Sequence, residues 1–196
     1  MNLRVQNLTV GTLQEVNLRI DAGEVVCVSG ASGSGKSRLL RAIADLEPHS
    51  GRVALGGEDR DALAAHAWRA RVMLVPAESQ WWADRVGEHF ARPMSEGLAA
   101  LGFPEDASGW AISRLSSGEK QRLALLRALS RDPAALLLDE PTANLDDGST
   151  RRLEQWLLEQ IAERGLAVIW VAHDAGQISR VARRHWRIDG AQLVSA

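Results

Sequence analysis

The sequence predicts an α/β fold with a mostly parallel core sheet flanked by helices, and three observations carry that prediction. First, Val25-Val26-Cys27-Val28, Ala134-Ala135-Leu136-Leu137-Leu138 and Ala167-Val168-Ile169-Trp170-Val171 are short, continuous apolar runs. Strands apolar on both faces belong to parallel sheets covered from both sides. Second, segments with helical spacing of apolar residues stand between these runs, and alternating strands and helices connect in parallel. Third, Gly30-Ala31-Ser32-Gly33-Ser34-Gly35-Lys36-Ser37 follows the first run directly and fits G-x-x-x-x-G-K-[ST].

In chain order, Leu3, Val5 and Leu8, then Val16, Leu18 and Ile20, are spaced as the half-buried faces of short strands. Asp21-Ala22-Gly23 is a turn before the first core strand. A helix is expected after the glycine-rich loop as far as about Leu46, ended by Pro48 and Gly51. Arg52 to Leu55 reads as a short strand with Gly56-Gly57 as its turn, and Val72 to Val75 as a core strand stopped by Pro76. Residues 77–114 read as irregular, with short helices around 86–101. Leu123, Leu126 and Leu129 mark a helix from Glu119 to Leu129, and Leu153, Trp156, Leu157 and Ile161 mark another.

The chain has 196 residues, enough for one packed domain. A net charge of −2 gives no basic surface for nucleic acid, so no nucleic-acid partner is expected. No apolar run reaches the ~18–20 residues that span a bilayer. The N-terminal residues lack the profile of a secretory signal. If the protein serves a membrane, another chain is expected to supply the membrane part. The single Cys27 lies in a predicted core strand and cannot form an internal disulfide, which fits a reducing compartment.

The glycine-rich loop has a mechanism. Glycines let successive backbone N–H groups turn inward onto phosphate oxygens, and the following helix aims its positive end at the anion. Lys36 is placed to reach the outer phosphates and the Ser37 hydroxyl to take Mg²⁺. The bland alternative, a Gly/Ser-rich turn with a surface lysine, does not explain the strand before and the helix after. Leu137-Leu138-Asp139-Glu140 ends a buried strand with two carboxylates, which strand alternation sends to opposite sides. Asp139 is placed for the Mg²⁺ shell, and Glu140 to polarise a water for attack on the γ-phosphate. Ser116-x-x-Glu119 opens the 119–129 helix as a capping box. The same Ser hydroxyl, Gly118 and open helix N-terminus could equally form an anion site.

Together these segments resemble the ATP-binding cassette family, the nucleotide-binding subunits of ABC transporters, over nearly the whole chain. Gly30–Ser37 matches its Walker A motif, Leu115–Arg122 looks like its signature motif, and Leu136–Glu140 resembles Walker B. Pro141 to Asp146 resembles the segment ending in the D-loop, and His173 matches the switch histidine. The resemblance implies a P-loop NTPase with a short N-terminal antiparallel β region. It also implies a core of residues 1–76 and 132–196 and a small helical subdomain at about 77–131. It implies a head-to-tail homodimer or heterodimer of cassettes binding Mg-ATP at the cytoplasmic face of a membrane, beside a separately encoded permease. Each ATP would lie between the loop residues 30–37 of one subunit and Ser116 and Gly118 of the other. Lys36 would bind phosphate, Ser37 and Asp139 would serve Mg²⁺, Glu140 would activate water and His173 would contact the γ-phosphate. Asp146 would communicate across the interface.

The chain departs from that pattern at defined places. Val75-Pro76 leads into Ala77 where the family has a glutamine, with Glu78 and Gln80 nearby. Ser117 stands where the signature has a second glycine, and Glu119 where it has a glutamine. Residues 6–14 offer no aromatic to stack on adenine, which implies weaker ATP binding and little preference for ATP over GTP. The 77–114 segment is short for the family's helical unit and is rich in Trp and Phe. One of the adjacent Trp81 and Trp82 is expected to be exposed beside the loop that contacts the permease. Two other function classes stand beside the transporter ATPase. One is a soluble cassette ATPase acting on nucleic acid or ribosomes, the other a weakly hydrolysing regulatory module. The retained Glu140 argues against the second. The transported substrate and its direction are not encoded in this chain.

Overall fold

The computed structural model describes residues 1–196. β1 (Leu3–Val10) and β2 (Leu13–Ile20) form a hairpin. β3 (Val25–Gly30) runs through the glycine-rich loop into α1 (Lys36–Ile43). β4 (Ser50–Leu55) and β5 (Glu58–Asp59) complete a four-stranded antiparallel sheet in the order β2-β1-β4-β5. α2 (Ala65–Arg71) leads directly into β6 (Val72–Val75). Single 3₁₀ turns and the short α3 (Ser95–Ala100) follow, then α4 (Ser117–Ser130). β7 (Ala135–Asp139), α5 (Asp147–Arg164), β8 (Ala167–Val171) and α6 (Ala175–Val181) alternate. β9 (Arg184–Asp189) and β10 (Gln192–Ser195) end the chain. The second sheet has six strands in the order β10-β9-β3-β8-β7-β6, parallel except at the β9–β10 edge.

The continuous apolar strands are explained by two cores, one on each face of this sheet. Val26, Val28, Leu137 and Ile169 face α1 and the antiparallel sheet. Cys27, Leu136, Leu138 and Trp170 face α4, α5 and the 77–114 segment, whose Val86, Leu98 and Phe103 join the same cluster. Cys27 is fully buried, and burial pushes its thiol up to about 12.

One boundary is corrected. α1 stops at Ile43 rather than near Leu46. Asp45 takes a left-handed conformation (φ 60°), its N–H bonds the Ala42 carbonyl, and the Leu46 N–H bonds the Arg41 carbonyl. This wrap satisfies the last carbonyls three residues early. β6 is a strand of the core sheet as expected, and it lies at that sheet's edge. The short helices expected around 86–101 are present, as a 3₁₀ turn over Val86–His89 and the six-residue α3. β5, α2, α6, β9 and β10 carry no expectation from the sequence.

Glu24, at the β2–β3 turn, ties the two sheets to β9. Its buried carboxylate takes Arg184 Nε at 2.6 Å and Nη2 at 2.9 Å, and the Asp21 N–H at 2.8 Å. Burial alone would raise the Glu24 carboxyl, but these hydrogen bonds outweigh it and hold the carboxyl below its usual value. Stability from a depressed carboxylate is present above its unfolded pKa and lost as pH falls through the folded one. Glu24→Gln should therefore cost about 1.5–3 kcal/mol at neutral pH, the range for hydrogen bonds to charged groups. In urea unfolding the gap to wild type should narrow on acidification; a gap independent of pH would contradict the role given to Glu24.

Candidate functional site

Parallel register brings the chemistry-bearing residues to one edge. Val28 of β3 is aligned with Val171 of β8, and Val171 with Asp139 of β7. The loop after β3, Glu140 after β7 and His173 after β8 therefore leave the sheet at the same carboxyl end, where open α/β sheets bind ligands.

Gly35 caps α1 from the left-handed region (φ 103°), and no side chain caps the helix. Its first N–H groups are left for a ligand. Lys36 is nearly buried and lies back across its own loop, its Nζ donating to the Gly30 and Ala31 carbonyls at 3.0 Å each. The Ser34 hydroxyl is buried with no partner. A lysine held on carbonyls, an orphan hydroxyl and uncapped amides are donors without an acceptor, which is the chemistry that a polyphosphate fits.

Ser32, Gly33, Gly35, Lys36 and Ser37 line one wall of an open cavity of about 470 Å³. Glu140, His173, Thr12 and Arg38 complete its lining. Glu140 sits in the left-handed region (φ 48°), unusual for a residue with a side chain. Such strain costs about 1–3 kcal/mol and clusters at functional sites. Strand alternation alone therefore does not aim Glu140, as the sequence reading assumed; the backbone twist after β7 does. Alternation does hold for Asp139, which shares its face with Ala135 and Leu137 and so looks toward α1. His173 Nε2–H donates to Glu140 Oε1 at 2.7 Å. This pair separates the phosphate cavity from a second one of about 310 Å³, lined by Thr142, Asp147, Gln177 and Arg180.

A buried network behind that pair has no counterpart in the sequence reading. Gln177 Nε2 donates to Thr142 Oγ1 and to Glu154 Oε1 at 2.8 Å each, and Arg180 grips Glu154 through two bonds of 2.8 and 2.9 Å. It fixes the loop following Glu140 to α5 and α6. Asp174-x-x-Gln177, where Asp174 caps α6 onto the Gln177 N–H, is a cap pattern that could have signalled it.

Ser116 and Gly118 do not line the phosphate cavity of their own chain. The capping box forms as spaced: Ser116 Oγ accepts from the Glu119 N–H, and Glu119 Oε2 accepts from the Ser116 N–H and Oγ–H. The Ser116 amide, against burial, holds the Glu119 carboxyl below its usual value. Gly118 is needed for close approach, since a Cβ there would lie 2.9 Å from the Asn144 carbonyl oxygen. Asp146 caps α5 on the Ser149 N–H at 2.9 Å. Glu78 and Gln80 are exposed, and neither lines the phosphate cavity.

Of the adjacent tryptophans, Trp82 is 66% exposed and Trp81 packs inward. Buried His89 stands edge-on to both rings and accepts the Trp82 and Ala83 N–H groups on Nε2 at 3.1 Å. Arg127 lies over both rings, and burial lowers its pKa. Trp82 lines a groove of about 530 Å³ together with Met73, Leu74, Arg69, Arg127 and Arg131.

A family model described as ABC transporter matches residues 13–143. The "Fe(3+) ions import ATP-binding protein FbpC" of Streptomyces coelicolor is 38% identical over 186 residues, covering 88% of this chain and 53% of that protein. The "Probable iron export ATP-binding protein FetA" of Escherichia coli is 32% identical over 180 residues, covering 85% and 80%. The chain thus spans about half the length of the first relative and most of the second. A bacterial ABC exporter solved with ATP bound superimposes with a TM-score of 0.86 over 99% of this chain and 38% of its own, at 22% identity. At that identity the match shows a shared fold.

Gly118→Ala should destabilise the chain by about 1–3 kcal/mol, the cost of overpacking against backbone. Urea unfolding checks this; an unchanged midpoint would mean that the Asn144 loop moves aside freely.

Proposed function

This chain belongs to the ABC transporter family, and on that premise we propose that it is an ATP-hydrolysing nucleotide-binding subunit. It pairs head to tail with a second copy of itself and drives a separately encoded transmembrane subunit from the cytoplasmic face of the membrane. The observation that carries the proposal is the single cavity lined by both the donor-rich loop and Glu140. No helix is long and apolar enough to cross a membrane, so in this reading the span comes from the permease. The segment at about 77–131 serves as the small helical subdomain that presents the signature motif and the permease contact.

In this reading ATP enters with its phosphates on the loop amides, and Lys36 turns from the Gly30 and Ala31 carbonyls to the phosphate oxygens. Ser37 and Asp139 would hold Mg²⁺, whose chemistry there would be to neutralise phosphate charge. No group of three His, Cys, Asp or Glu side chains could hold a metal alone, so phosphate and water would complete its shell. Glu140 accepts the proton of the attacking water. His173, already hydrogen-bonded to Glu140, holds that carboxylate in place and reaches the γ-phosphate. Ser116 and Gly118 of the partner copy close the open side. The groove beside Trp82 receives the permease, and its three arginines with no carboxylate among the lining residues favour an acidic segment.

Two experiments test this. Steady-state hydrolysis by the purified chain should depend on Glu140: Glu140→Gln should abolish turnover and keep ATP binding, whereas Lys36→Ala should lose binding itself. Retained turnover in Glu140→Gln would remove Glu140 from the role of base. Trp82→Ala should weaken co-purification with the membrane subunit; unchanged recovery would move the docking surface elsewhere.

A further inference from the structure

The nucleotide cavity contains no apolar lining residue, and residues 6–14 supply no aromatic ring. A purine is a flat hydrophobic surface that is left in water unless something planar covers it. Among the cavity's lining residues only His173 and Arg38 carry planar rings or guanidinium groups. His173 is occupied by its hydrogen bond to Glu140. Arg38, two residues into α1, lines the cavity together with Thr12 of the β1–β2 turn.

Arg38 is held in place on two sides. A Cβ built on Gly11 would come within 2.7 Å of Arg38 Cδ and 3.1 Å of Cζ, so the side chain lies against the bare backbone of the β1–β2 turn. Any side chain at residue 11 would displace it. Its Nε donates to Glu47 Oε1 at 2.7 Å, and the other Glu47 oxygen is 3.5 Å from Arg41 Nε. Backed by Gly11 and tethered through Nε, the Arg38 side chain stays half-exposed and lines the cavity.

From this packing we propose that Arg38 is the base-binding residue of this chain: its guanidinium stacks on the purine of the bound nucleotide in place of an aromatic side chain. This rests on the proposed ATP site and goes beyond it by assigning the base contact. Guanidinium planes stack on nucleobases and attract their π-faces, and the contact tolerates any base. The Gly11 turn and Glu47 supply the order that makes a flexible arginine serve as a platform. Because every purine offers a similar face, this contact also predicts that ATP and GTP bind alike.

The test compares Mg-ATP with inorganic tripolyphosphate by calorimetry on the full chain. Tripolyphosphate presents the same phosphates without a base. Arg38→Ala should weaken Mg-ATP by about fivefold or more, the lower end of base-stacking effects, and leave tripolyphosphate unchanged. Arg38→Tyr should restore ATP affinity, while Arg38→Lys, which keeps the charge and loses the plane, should not. Equal losses for both ligands would make Arg38 a phosphate-binding charge and overturn the proposal. Unchanged ATP affinity in Arg38→Ala would overturn it too and leave the ATP site standing. Wild-type protein that binds neither ligand in a Lys36-dependent way would overturn the site and the stacking together.

Discussion

The parallel register of β3, β8 and β7 is the constraint on which the rest depends. Each strand is buried on both faces, and a one-residue slip would turn apolar side chains from one core into the other. Because the register is fixed by that packing, three chain segments far apart in sequence leave the sheet side by side. The first becomes a loop of backbone donors, the second ends in the carboxylates of Asp139 and Glu140, and the third ends at His173. With strands about 4.8 Å apart, the Asp139 and Val28 backbones are separated by roughly two spacings, about 10 Å. The hydrophobic cores thus set the scale of the site.

Within that frame the donor and acceptor sides are held differently. The loop side relies on backbone: an uncapped helix, a left-handed Gly35 and a lysine stored on carbonyls. The carboxylate side relies on side chains. Glu140 bonds His173, and the loop beyond Glu140 is fixed by Thr142, Gln177, Glu154 and Arg180. Strain at Glu140 is tolerated because the pairing of β7 fixes the chain before it and this network fixes the loop after it. The cavity is open, and neither Ser116 nor Gly118 at the N-terminus of α4 lines it. The proposed head-to-tail pairing would supply that helix end from a partner cassette.

Much of this was legible in the sequence, for physical reasons. β3, β7 and β8 are apolar on both faces, and α4 and α5 are long enough to show their period. The loop motif fixed where phosphate chemistry would sit, and two adjacent tryptophans could not both point inward. The missed elements lack such signals. α2 and α6 have seven residues each, too few for a clear apolar stripe, and β9 buries only Ile188 of its six residues and so shows no continuous apolar run. The left-handed turns at Asp45 and Glu140 carry no glycine to mark them. The packing of Arg38 on Gly11 joins positions on different elements and becomes visible only when the chain is folded.

The proposed mechanism requires that the open cavity be closed by another copy of this chain. The most direct measurement is the molar mass of Glu140→Gln in solution by light scattering, with and without saturating Mg-ATP. Monomer mass without nucleotide and twice that mass with Mg-ATP is the predicted result. Monomer mass under both conditions, with ATP demonstrably bound, would contradict it.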